Sequence, residues 1–157
     1  MKNLILILLA IIFFTNCSSG DNKSSVLENI FGEWKLTSFV NEQDGTSINA
    51  DDPNYYDPVD NTEVSIIINF EENFDFNGFT SRNSFTGSFI LNNSETEIIV
   101  RFGGTEVNET DFGNLFFDSL QSNYNPETQK IEITFKLNGD VLKLYYSDNE
   151  YMRLERI

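Results

Sequence analysis

The chain predicts a mainly β fold: a small antiparallel β-barrel of seven to eight strands with one short helix inserted before the final hairpin. Three observations carry that expectation. First, between Lys130 and Tyr146 the apolar residues Ile131, Ile133, Phe135 and Leu137 alternate with Glu132, Thr134 and Lys136. Such alternation marks a strand with one face buried. Asn138-Gly139 follows, the favoured pair for a two-residue type I′ turn. Pairing Leu137 with Asp140 then sets Phe135 opposite Leu142, Ile133 opposite Leu144 and Ile131 opposite Tyr146 on one face. Thr134 meets Lys143 and Glu132 meets Tyr145 on the other, so turn chemistry and hydrophobic pattern demand one register. Second, other short strand-like segments recur between turn signals, which favours a barrel or sandwich; closure removes exposed edges. Third, aromatics make up 14% of the chain, with 15 Phe, and such residues favour strands and fill barrel interiors.

The hairpin needs the rest of the sheet. Burying Ile131, Ile133, Phe135, Leu142 and Leu144 contributes about 8–15 kcal/mol gross, and chain entropy cancels most of it.

In chain order, Met1-Lys2-Asn3 supplies a positive start, and Leu4 to Phe14 is an unbroken apolar run of 11 residues. About 20 are needed to span a bilayer. A charged start, a short apolar run and small polar residues read as a secretory signal. The sole cysteine, Cys17, stands where a bacterial lipoprotein signal is cut and acylated. The stretch resembles a lipobox with Phe14 and Thr15 in its apolar positions, although Asn16 departs from the usual small residue; the bland alternative is an ordinary signal with an incidental cysteine. Several acyl chains on one residue anchor far better than one, and Ser18 resembles residues that permit sorting to an outer membrane. The expected division is a signal over 1–16, a flexible tether over 17–30 and a folded domain over 31–157. The expected partner is a membrane reached through Cys17, in the bacterial cell envelope.

Gly32 to Val40 reads as the first strand, with Trp34 and Leu36 sharing a face and Val40 at its far end. Residues 41–62 lack periodicity, as functional or disordered loops do. Glu63 to Phe70 is a second strand with Val64, Ile66, Ile68 and Phe70 inward. Phe74, Phe76 and Gly78 continue as a third. Phe79 to Thr86 reads as a loop, Gly87 to Leu91 as the fourth strand, Asn92 to Glu95 as a turn and Thr96 to Phe102 as the fifth strand. Phe112, Leu115, Phe116, Ser119 and Leu120 then follow helical spacing, with Asn108 or Thr110 as cap. Gly113 weakens that helix by about 1 kcal/mol relative to alanine. After the hairpin, Glu150 to Ile157 is the last strand, with Met152 and Leu154 inward.

Composition excludes several chemistries. There is no histidine, so the commonest general base and metal ligand is missing. One cysteine forms no intramolecular disulfide. A net charge of -15 repels phosphate backbones, which argues against nucleic acid. Asp51, Asp52, Asn54, Asp57 and Asp60 form an oxygen-rich cluster, but their spacing matches no EF-hand loop and reads as a solvated acidic loop. Glu71/Glu72 and Asp51/Asp52 are better read as turn residues than as acid/base pairs. No cofactor, metal site or enzymatic activity is expected.

The segment Asn83-Ser84-Phe85-Thr86-Gly87-Ser88-Phe89 resembles the Asn-x-aromatic-x-Gly-x-aromatic segment of META domains, the HslJ-like group of envelope proteins. Gly32-x-Trp34-x-Leu36 is similar to the opening strand of that family, and the helix, hairpin and final strand to its second half. Arg82 stands where family members often carry a cysteine, and a second cysteine is also missing. The resemblance implies a small β-rich envelope domain without an established reaction, linked in some members to stress or motility. It leaves Gly32, Trp34, Asn83, Phe85, Gly87 and Phe89 as motif residues with structural roles. Gly32-Glu33-Trp34 also resembles the Gly-x-Trp that opens lipocalins, in which the tryptophan helps close the barrel floor. That resemblance implies a barrel binding a small hydrophobic ligand. The expected function is therefore a non-catalytic, lipid-anchored envelope domain meeting an unknown envelope protein, with ligand binding as the alternative.

Overall fold

The computed structural model describes residues 28–92, 97–105 and 107–157. The signal, Cys17, most of the tether and most of the turn at 92–95 lie outside the described residues. The strands are β1 (Gly32–Asn41), β2 (Ser47–Asn49), β3 (Ile67–Phe70), β4 (Asp75–Phe79), β5 (Ser84–Leu91) and β6 (Glu97–Gly104). After helix α1 (Asp111–Gln121) come β7 (Tyr124–Asn125), β8 (Lys130–Asn138), β9 (Val141–Tyr145) and β10 (Glu150–Arg156).

Eight of these strands, β1, β3, β4, β5, β6, β8, β9 and β10, pair antiparallel in chain order, and β10 returns to pair with β1. The result is a closed up-and-down barrel, with β2 and β7 as short additions on β1 and β8. The helix lies between the fifth and sixth barrel strands, as the periodicity predicts. Register fixes the two ends. The floor carries residues 28–31, the turn at 71–74 and the β8–β9 turn; the far end carries the long loop after β1, the turn at 80–83 and α1.

The inward faces follow the predicted alternation, with Val64, Ile66, Ile68 and Phe70, the hairpin's Ile131, Ile133, Phe135, Leu142 and Leu144, and Met152 and Leu154 all buried in one core. Several expectations need correction. The second strand begins at Ile67 rather than Glu63. The hairpin pairs Asn138 with Val141, Leu137 with Leu142, Phe135 with Leu144 and Thr134 with Tyr145. That is two residues from the predicted register. Gly139, at φ +57°, takes the first central position of the turn, which suits a type II′ geometry rather than type I′. Because the slip is even, every side chain keeps its face.

In β1 the register shifts between Leu36 and Ser38, a bulge that reverses the alternation. Phe39, not Val40, therefore enters the core. Phe74 lies in the turn before β4, not in the strand, with φ +66° and its ring against Phe31 and Phe89. The fourth barrel strand begins at Ser84 rather than Gly87, and only Thr80 to Asn83 turn the chain, closed by the Thr80 N–H donating to the Asn83 carbonyl at 2.8 Å. Polar Ser81, Arg82, Asn83 and Ser84 hid that strand's start.

Two cross-strand pairs explain why this ladder holds. Phe76 faces Gly87, and Gly78 faces Phe85. A Cβ on Gly87 would collide with the Arg101 carbonyl and the Phe76 ring, and one on Gly78 with the Ile67 carbonyl and the Phe85 ring. Each phenyl ring thus occupies the space over a glycine on the adjacent strand, covering backbone that glycine leaves bare.

At the floor, a helical turn at 28–30 brings Ile30 fully into the core, so the folded unit takes in three residues assigned to the tether. Trp34 is fully buried and its indole N–H donates to the Ile30 carbonyl at 2.8 Å. The Arg156 guanidinium lies 4.3 Å from the Trp34 ring centroid and donates to the Phe31 and Asn29 carbonyls.

Gly87→Ala is expected to lower stability by about 1–3 kcal/mol through overpacking against backbone. Gly103→Ala, whose Cβ meets nothing within 4 Å, is expected to change it by less than about 0.5 kcal/mol. Urea denaturation of both variants checks the contrast.

Candidate functional site

One concave feature is the barrel interior with the helix that covers it. On α1 the positions Phe112, Phe116 and Leu120 are buried. Thr110 caps the helix, its Oγ1 accepting from the Gly113 N–H at 3.1 Å. Phe112 seats against Phe39 with centroids 5.0 Å apart and against Tyr55 at 6.3 Å; Phe116 seats against Phe85 at 5.3 Å. The apolar stripe of the helix is thus a plug in the end of the barrel opposite Trp34.

Beneath the plug lies a cavity of about 30 Å³, walled by apolar side chains that include Phe76, Phe85, Val100, Phe102, Phe116 and Leu144. No polar surface reaches it. The ligand-binding alternative calls for a connected cavity of roughly 300–1,000 Å³, and the interior is instead almost completely filled by its own side chains. An apolar void of this kind stays dry and presents a surface suited only to hydrocarbon.

A polar clasp holds the helix end down. The Asn83 side chain is buried and makes four bonds. Its amide donates to the Val107 carbonyl at 2.9 Å and to Glu109 Oε2 at 2.7 Å, and its oxygen accepts from the Val107 N–H and from Thr105 Oγ1, both at 2.9 Å. Glu109 also accepts from the Thr80 hydroxyl and from the Thr110 N–H at 2.8 Å. Gly113 gives the Glu109 side chain its place, because a Cβ there would collide with it. The residue that weakens the helix in isolation therefore lets the clasp close. Arg82 binds Asp57 through two nitrogens, at 2.9 Å and 2.6 Å, and donates to the Asn108 carbonyl at 3.2 Å. The long loop, the turn at 80–83 and the approach to α1 are thereby tied together. The Arg82 guanidinium beside Asp57, with help from the Val59 N–H, holds that carboxyl below the usual range.

The motif residues fall into three places. Gly32 and Trp34 are at the floor; Gly32 has φ +113°, and a Cβ there would come within 2.9 Å of Arg156. Phe85 and Phe89 are inside the barrel, Gly87 is under Phe76, and Asn83 is in the clasp. They do not converge on one point. Cys17 lies outside the described residues. Asp52 and Asp60 are spent on local bonds, to Asn54 and to Thr62, whereas Asp57, expected to be solvated, is buried and bonded to Val59 and to the distant Arg82. Among the described residues no group of three His, Cys, Asp or Glu side chains could hold a metal ion. Among them, too, no helix is long and apolar enough to cross a membrane.

Sequence reasoning missed Glu109, Thr80, the Arg82–Asp57 pair and Arg156. Glu109 stands just before the helix, where an acid suits the positive end of the dipole, and nothing local marks which distant amide or hydroxyl it meets.

Comparison with known proteins adds a fold likeness. The crystal structure of a DUF4847 family protein from Bacteroides vulgatus superposes with a TM-score of 0.58 at 17% identity, covering 83% of this chain and 97% of that one. At that identity the likeness speaks for the fold alone. No family model matches the chain, and no curated protein matches it.

The Arg82–Asp57 tie carries a pH dependence whose sign is set. A carboxyl whose pKa is lowered on folding stabilises the fold above its unfolded value, and that stabilisation is lost as pH falls through the folded value. Asp57→Asn is therefore expected to lower the melting temperature at pH 7. The gap from the wild type should close as pH falls below about 4, the unfolded value. Thermal melts of both proteins across that range check it.

Proposed function

We propose that this domain is a non-catalytic binding barrel of lipocalin-like type that takes up a small apolar ligand. The observation that carries the reading is the interior itself: a closed barrel whose central void is lined by hydrocarbon alone. The void is too small for a standing ligand site, so binding works by exchange. A ligand replaces side chains that fill the interior in its absence. The drive for uptake is the ligand's buried apolar area, at about 25 cal/mol per Å², less the apolar area of the side chains that it displaces.

The envelope part of the reading rests on the N-terminal segment. If Cys17 carries acyl chains, the residues from there to Glu28 reach at most about 40 Å at 3.3–3.6 Å each. On that reading the tether joins the domain at its floor end, where the described chain begins. This keeps the envelope address that the META-like resemblance implies. No particular surface feature favours its interaction role over ligand uptake.

Titration of the full chain with N-phenyl-1-naphthylamine is expected to give saturable, blue-shifted fluorescence. Val100→Phe, which fills the cavity while circular dichroism stays unchanged, is expected to weaken that binding at least about tenfold, more than 1.4 kcal/mol. Equal binding by this variant would remove the interior as the site.

Labelled palmitate is expected to be incorporated into the wild type in a bacterial host and not into Cys17→Ser. Unchanged labelling of that variant would end the anchored reading.

A further inference from the structure

Three places in the chain set an Asp or Asn side chain beside a glycine nitrogen: Asp44-Gly45, Asn77-Gly78 and Asn138-Gly139. Glycine has no Cβ to screen its backbone N–H, so that nitrogen is open to close a five-membered ring on the side-chain carbonyl carbon before it. The fold decides which of the three pairs is left free to do so.

Two are held. The Asn77 amide donates to Glu71 Oε1, and Gly78 sits in the ladders that join β4 to β3 and to β5, opposite Ile68 and Phe85. Turning that backbone breaks sheet bonds. Asp44 Oδ1 accepts from the Thr46 N–H at 2.9 Å and from the Thr46 hydroxyl at 2.7 Å, and the Gly45 N–H donates to the Asn41 carbonyl at 3.0 Å. The third is free. Asn138 and Gly139 are exposed at the β8–β9 turn. Gly139 lies outside both strands, and among the described residues nothing bonds its N–H or the Asn138 side-chain amide.

We infer that Asn138 is a site of spontaneous deamidation, where the β8–β9 turn gains a carboxylate and, in one of two products, an extra main-chain carbon. The Gly139 nitrogen loses its proton and attacks Asn138 Cγ. The N–Cγ bond forms, the Cγ–Nδ2 bond breaks, and ammonia leaves with the equivalent of that proton. Water then opens the cyclic imide at either carbonyl to give aspartate or isoaspartate, with no oxidant or reductant involved. The inference is independent of the ligand-uptake reading.

The position couples the reaction to the base of the barrel. A two-residue loop fixes hairpin register, and Asn138 closes this one opposite Val141. The Asp140 carbonyl accepts from the Arg156 N–H at 3.0 Å, and its carboxylate lies 3.5 Å from Arg156 Nε. Arg156 in turn covers Trp34 and holds the Phe31 carbonyl at 2.7 Å. Isoaspartate at 138 lengthens the loop, moves Asp140 off Arg156 and loosens the floor.

The full chain is aged in warm, mildly alkaline buffer, either folded or in urea. Its tryptic peptides 137–143 and 36–82, which carry Asn138 and Asn77, are followed by mass spectrometry with fragmentation. In the folded chain Asn138 is expected to convert at least tenfold faster than Asn77, with the isoaspartyl product labelled by an isoaspartyl methyltransferase. In urea the two rates are expected to converge. Asn138→Gln, whose longer side chain closes the ring poorly, is expected to abolish conversion in 137–143. Aged wild type is expected to melt below fresh wild type, and aged Asn138→Gln at the temperature of its own fresh sample. A rate at Asn138 no higher than at Asn77 in the folded chain, or no conversion at either, overturns the site. A tenfold difference that persists in urea overturns the fold as its cause. Unchanged melting of a converted sample overturns the coupling to the floor.

Discussion

The rest of this structure depends on β10 meeting β1. Seven antiparallel ladders in chain order would give an open sheet with two bare edges, and edges recruit other strands. The β1–β10 ladder turns that sheet into a barrel and sets its circumference. Its floor end is held by a side-chain arrangement as well as by backbone bonds. Arg156, the last residue of the last strand, lies on the ring of Trp34 near the start of the first. Cation–ring contact of this kind is worth about 0.5–2 kcal/mol, and it also delivers the guanidinium to two carbonyls of the segment that enters the barrel. One residue thus joins the two ends of the domain and seals its base.

Closure creates an interior that must be filled. Phenylalanine does most of this, and the Phe–Gly pairs across β4 and β5 show how. A ring lying over a neighbouring glycine packs close to the wall, in space that a Cβ would otherwise fill. Phe76, Phe85, Phe102, Phe116 and Phe117 then form a connected aromatic set from the wall to the helix. The cavity of about 30 Å³ is what remains between them.

The covering helix is fixed by polar bonds at its start and apolar contacts along its length. Asn83 and Glu109 satisfy each other's buried groups, so the clasp costs little once formed and much if one partner is removed. The consequence is a helix held at its start by polar bonds and along its length by packed rings. The same polar set explains why the turn at 80–83 is short and why the loop with Asp57 lies against it.

Much of this was written in the sequence. Alternation in Lys130 to Leu137 and Val141 to Tyr146 determined which residues face inward, and the inward set survived a two-residue slip because strand periodicity is blind to an even shift. Helical spacing from Phe112 to Leu120 determined the buried face of α1, and Thr110 its start. What the sequence could not hold was any contact between residues far apart along the chain. The bulge after Leu36, the strand hidden in Ser84 to Thr86, the Trp34–Arg156 stack and the Asn83–Glu109 clasp are all of that kind. Local pattern reports the period of a segment and the face it buries; which distant group occupies the other side is decided only when the barrel closes, because closure alone fixes how far each strand slides along its neighbour.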